Sequence, residues 1–210
     1  MSRSVVFRLG LAAVALTLMC GGPALATPVL TFDASTGSSG NNQGQSVGWQ
    51  FDVLAPIVVT GLGWFDEGGD GLVIGHTVGI WAPDGTLLAS VAVPSGVGAA
   101  LDGQFRTVSI PSLALGVGAG YIVGGENFSA NTERLAFNVV QAVNSNISFF
   151  DATFSDLGGG FQRPTQFSVA DNGFYGPSFS VDDAPIPEPA TLLLFGSGLL
   201  GLAARRRRAS

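Results

Sequence analysis

The sequence predicts an all-β fold: a β-sandwich or jelly-roll domain flanked by an N-terminal signal peptide and a C-terminal single transmembrane helix. Three observations predict it. Short β-branched and aromatic runs recur along the chain, with Gly, Pro, Asn or Asp in most of the gaps. No stretch between the two ends shows the 3.6-residue periodicity of an amphipathic helix. The chain also carries 31 glycines, a residue that weakens helices and serves turns and bulges. Regularly spaced short strands with turn signals suit a two-sheet architecture. The absence of a clear repeat period argues against a solenoid or propeller.

Residues 1–26 read as a signal peptide. Arg3 and Arg8 flank and enter an apolar run from Leu9 to Met19, and Ala24-Leu25-Ala26 follows as a small-x-small cleavage site. The run is short for a spanning helix, which needs about 20 residues. Cys20 follows the bulky Met19 rather than a small residue, which argues against a lipid attachment site. Residues 27–46, rich in Gly, Ser, Asn and Gln from Thr36 onward, read as a flexible leader. The β domain is expected over 47–183.

Within it the clearest unit is a hairpin. His76 to Trp81 is strand-like, Pro83-Asp84-Gly85 supplies a turn, and Leu87, Ala89, Val91 and Val93 fall on one face at period two. The three-residue connection implies a bulge. Further strands are expected at Val47–Val53, Ile57–Phe65, Phe105–Ile110, Tyr121–Gly125, Leu135–Val140, Ile147–Phe154 and Phe174–Val181. The aromatic run Phe149-Phe150 to Phe154 is expected in the core.

Charge narrows the function classes. Between Thr27 and Pro187 there are three arginines, no lysine and fourteen acids, a formal charge of −11. Such a domain repels phosphate backbones, which excludes nucleic acid as a partner. The one cysteine, Cys20, lies in the signal peptide, so the domain is held by its core without disulfides.

Residues 184–210 form the tail. Pro185, Pro187 and Pro189 prevent helix or strand and favour an extended spacer. Ala190 to Ala204 is uncharged and mostly apolar, and Arg205-Arg206-Arg207-Arg208 follows at once. Fifteen helical residues rise about 22 Å, short of a hydrocarbon core of about 30 Å. Local thinning or snorkelling arginines would close that gap. The four arginines stay cytoplasmic by the positive-inside rule, leaving the domain outside.

Pro187-Glu188-Pro189, the helix over 190–204 and Arg205 to Arg208 together resemble the PEP-CTERM sorting signal. That resemblance implies cleavage by exosortase near the motif and delivery to the cell surface or biofilm matrix of a Gram-negative bacterium that makes extracellular polysaccharide. Signal peptidase, the secretion machinery and, before processing, the membrane are the other expected partners. A second set of residues looks like the DUF4082-type exported domain over roughly 48–181. It comprises Val59-Thr60-Gly61-Leu62-Gly63-Trp64-Phe65-Asp66, Asp70-Gly71-Leu72, His76 to Trp81, Gly85 to Ala89, Phe105-Arg106 and Gly173 to Phe179. This second resemblance implies a β-rich extracellular module.

Candidate chemistry is sparse. His76 is the only histidine, so a Ser-His-Asp hydrolase would need it, with Ser90 or Ser109 as nucleophile. No Gly-x-Ser-x-Gly elbow is present, and a structural histidine bonded to a nearby loop is the expected role. One histidine and no mature cysteine leave no zinc set. Asp66, Glu67 and Asp70 on a glycine-rich turn offer hard oxygen ligands for Ca²⁺, the one cofactor candidate, against the alternative of a solvated turn. Trp49, Trp64 and Trp81 could stack on sugar rings or fill the core. Asp151 and Asp156 join Asp66, Glu67 and Asp70 as carboxylates for glycoside chemistry, with nothing fixing two of them across a cleft. The sequence-level expectation is an exosortase-sorted, non-enzymatic structural or polysaccharide-binding surface protein. The alternative is a small carboxylate-dependent polysaccharide-processing enzyme.

Overall fold

The computed structural model describes residues 26–40, 44–127 and 134–182. The signal-peptide run, the Pro-Glu-Pro motif, the expected helix over 190–204 and the arginine cluster lie outside them. Among the described residues the only helical element is a 3-10 turn at Ala34–Thr36, and no helix is long and apolar enough to cross a membrane.

Among the described residues, fifteen strands carry the fold. They are β1 (Ala26–Pro28), β2 (Leu30–Asp33), β3 (Ser38–Gly40), β4 (Gln45–Val53), β5 (Ile57–Phe65), β6 (His76–Trp81), β7 (Leu87–Val93) and β8 (Ala100–Asp102). The rest are β9 (Phe105–Leu115), β10 (Gly118–Asn127), β11 (Leu135–Phe137), β12 (Val140–Val143), β13 (Ile147–Phe154), β14 (Gln166–Ser168) and β15 (Pro177–Asp182). One sheet has the order β1-β15-β5-β9-β8 and the other β14-β13-β4-β10-β6-β7; β2 pairs with β12 and β3 with β11 in two small ladders. Every pairing between these strands is antiparallel.

The two large sheets face each other, as strand alternation requires when each has one apolar face. On β4 the inward residues are Val47, Trp49, Phe51 and Val53, all buried. Trp49 stacks on Phe179 of β15 in the opposite sheet, with ring centroids 5.7 Å apart and 15° between planes, and its indole N–H donates to Pro177 O at 2.9 Å. A bulge at Thr60 resets the phase of β5, so that Ile57 and Val59 before it and Leu62 and Trp64 after it are all buried. The Trp64 ring needs glycine beneath it. A Cβ on Gly125 of β10 would lie 2.7 Å from the indole, and one on Gly176 would also lie 2.7 Å from it.

The expected hairpin forms. Ala82 N–H donates to Thr86 O at 2.9 Å, Gly85 sits at φ +94°, and the register shifts between Ile80 and Trp81. That bulge changes the predicted face. Ala89, Val91 and Val93 pack inward together with Leu88, while Leu87 is turned out and 44% exposed.

Three expectations are corrected. The described part of the expected flexible leader is ordered: β1, β2 and β3 fall within residues 26–40, and Val29, Leu30 and Phe32 are buried core residues. The polar composition from Thr36 onward obscures the alternation of Leu30 and Phe32 just before it. The expected strand Leu135–Val140 is two strands, because Asn138 takes φ +56° and breaks the run between β11 and β12. Phe150 is not core: the register of β13 shifts between Phe149 and Asp151, and the bulged ring is 58% exposed.

Candidate functional site

The acidic turn after β5 is built around an arginine. Asp66 ends the strand with its backbone N–H donating to Gln104 O at 2.9 Å, and its carboxylate is buried. Arg106 of the adjacent strand β9 reaches across and donates from Nε to Asp66 Oδ2 at 2.6 Å. The same guanidinium donates to Gly69 O at 2.7 Å and Ala99 O at 3.3 Å. Gly71 N–H completes the set on the Asp66 carboxylate, at 3.0 Å to Oδ2. The turn from Asp66 to Gly71 is therefore wrapped on one forked cation, the geometry for which guanidinium is suited.

The three carboxylates named as calcium candidates fall in two environments. Asp66 is committed to Arg106, while Glu67 and Asp70 point to solvent. Among the described residues no group of three His, Cys, Asp or Glu side chains is placed to hold a metal ion. Sequence reasoning named Arg106 only within the second resemblance and missed its pairing with Asp66. The signal that could have found it is an arginine set among strand residues in a domain with only two other arginines.

Of the two roles open to the three tryptophans, sugar platform or core, their burial fits the core. Trp49 and Trp64 are fully buried and Trp81 is 4% exposed, so none offers a face to a ligand. Trp81 lies on the outer side of its sheet, paired across from Ile122 of β10 and covered by Phe161, 5.2 Å away between ring centroids. The loop between β13 and β14 folds back over the sheet to make this second small apolar cluster.

His76 takes the structural role. Its ring lies parallel to Trp64 at 3.9 Å, and Nδ1 donates to Glu126 O at 2.9 Å. That bond leaves Nε2 as the acceptor of a neutral ring, buried without a hydrogen-bond partner. Ser90 and Ser109 are exposed on their strands and neither contacts the ring, so no triad is assembled. Asp151 and Asp156 belong to β13 and the loop after it, in the sheet opposite Asp66; Asp156 accepts from Gln166.

Burial lowers the His76 pKa from its ordinary 6.5, with the Glu126 contacts opposing the shift. The folded state thus binds the proton less readily than the unfolded chain. Stability is full above pH 6.5 and is lost as pH falls from there towards the depressed folded value. The melting temperature is expected to drop between pH 7 and pH 5, and His76→Gln to flatten that slope. An unchanged slope in the variant contradicts the assignment.

With the geometry in place, the comparisons with known proteins concern the tail. Residues 185–208 match the PEP-CTERM protein-sorting motif. The motif implies export, passage through the membrane and exosortase as the processing partner. The match does not extend into the β domain, and the likeness of residues 48–181 to the DUF4082 type is not confirmed by it. Searches of curated proteins and of solved structures return no match. The sorting tail begins directly behind β15. That strand pairs with β1 in the register Ala26↔Asp182, Thr27↔Val181 and Pro28↔Ser180. The chain therefore enters and leaves the domain side by side.

Proposed function

We propose that this protein is a non-enzymatic component of the cell surface or extracellular matrix, delivered there by exosortase. The carrying observation is the PEP-CTERM motif at 185–208. The pairing of Ala26 with Asp182 supports it. The signal peptide and the sorting tail attach at neighbouring points, so a domain of formal charge −11 can hang from the membrane by one corner. Cleavage after Ala26 removes one residue of β1 and keeps the pairs Thr27↔Val181 and Pro28↔Ser180, while cleavage near the Pro-Glu-Pro motif falls beyond β15.

The carboxylate-enzyme alternative receives no support from the placement of Asp66, which is spent on Arg106. Polysaccharide remains the ligand class proposed for the surface, but the tryptophans are not its site. A glycan array and a reducing-sugar assay on residues 27–186 check this reading, with no sugar turnover expected. Turnover would overturn it. Sorting is tested in cells by Pro187→Ala/Pro189→Ala, which is expected to accumulate in the inner membrane with its tail attached. Normal surface display of that variant would remove exosortase from the account.

A further inference from the structure

The two large sheets have four outer edges. Three of them end in three-residue strands: β1, β8 and β14. Shortness is a common protection of a sheet edge against pairing with other chains. The fourth edge, β7, is seven residues long, roughly 23 Å at strand rise. Among the described residues no strand pairs with its outer side.

Its sequence, Leu87-Leu88-Ala89-Ser90-Val91-Ala92-Val93, has no charge and no proline, and its one guard is the bulge at Leu88 near one end, which leaves Ala89 to Val93 regular. By contrast, β9 beyond its short pairing with β8 carries Pro111, which cannot donate to a ladder. Leu88, Ala89, Ile110 and Leu113 line the groove between these two strands.

Charge is segregated away from this edge. Residues 86–101 and 107–125 contain no ionisable acid or base other than Tyr121, in a domain of formal charge −11. Copies of this chain repel one another over most of their surface, and here they can approach without bringing like charges together. A strongly charged partner has nothing to recognise on the strand.

We infer that the outer edge of β7 is a self-association edge, to which a second copy adds its own β7 antiparallel and joins two six-stranded sheets into one. The strand is self-complementary for such a twofold contact. With the axis at Ser90, Ala89 lies opposite the partner's Val91 on the inner face, and past the bulge at Leu88 the outward Leu87 lies opposite the partner's outward Ala92. The inference stands on the fold and does not depend on the sorting reading.

The test is sedimentation velocity over a concentration series on residues 27–186, which contain both sheets and their buried core. A reversible dimer is expected. Ser90→Lys and Ala92→Lys, both at exposed positions of β7, are expected to raise the dimer Kd at least tenfold with the melting temperature held. Val169→Lys follows β14 at the opposite edge of the same sheet and is expected to leave the dimer unchanged. Ser90→Cys places the only thiol in this segment on the axis, and oxidation is expected to give a covalent dimer. A monomer at every concentration, or a dimer indifferent to both lysines and not trapped by the cysteine, would overturn the inference.

Discussion

Arg106→Ala is expected to destabilise the domain by about 3–5 kcal/mol, the cost of leaving a buried carboxylate without its partner. Asp66 is fully buried at the side chain and pairs with Arg106, the one cation in reach among the described residues. Truncation also strips Gly69 O and Ala99 O of their donor. For a domain of this size the loss corresponds to a fall in melting temperature of roughly 10 °C. Arg106→Lys is expected to recover only part of it, because an ammonium cannot meet three acceptors in the plane of a fork. In a double-mutant cycle with Asp66→Asn, the combined loss should be smaller than the sum of the single losses. A loss below 1 kcal/mol for Arg106→Ala in urea unfolding would show that the turn is not organised by this pair.

Trp49→Ala is expected to cost about 3–5 kcal/mol, the range for deleting a large buried aromatic and leaving a cavity. The indole touches Phe51, Phe149, Tyr175 and Phe179, so its loss opens the space between the sheets where they are joined most directly. Its N–H bond to Pro177 O goes with it. Trp49→Phe should lose less, because much of the volume is kept. Thermal unfolding distinguishes this from the ligand-platform role. A Trp49→Ala protein of unchanged stability but lost polysaccharide binding would contradict the core assignment.

Elements with one apolar face and clear turn punctuation were legible in the sequence. The boundaries of β5, β6 and β13 fall where alternation and turn residues place them. What escaped depends on single-residue bulges and on partners distant in the chain. Leu87 and Phe150 have the composition of core residues, and register shifts beside them turn both outward. No local pattern announces a bulge of this kind, since it is settled by which strand lies opposite. β2 escaped because it is four residues long and pairs with β12, more than a hundred residues away. The acidic turn showed its carboxylates but not its cation: Asp66 and Arg106 are forty residues apart and meet only because β5 and β9 are neighbours. The sorting tail was legible for the opposite reason. It is a local signal, in which motif, apolar run and arginines follow one another in order.

The central claim, export followed by exosortase processing, is tested most directly by mass spectrometry of the mature protein's C-terminus in wild-type and exosortase-deleted cells. The account predicts a wild-type product ending near Pro187-Glu188-Pro189 and lacking Arg205 to Arg208, with the tail retained when exosortase is absent. A wild-type surface product that still carries the four arginines would contradict it.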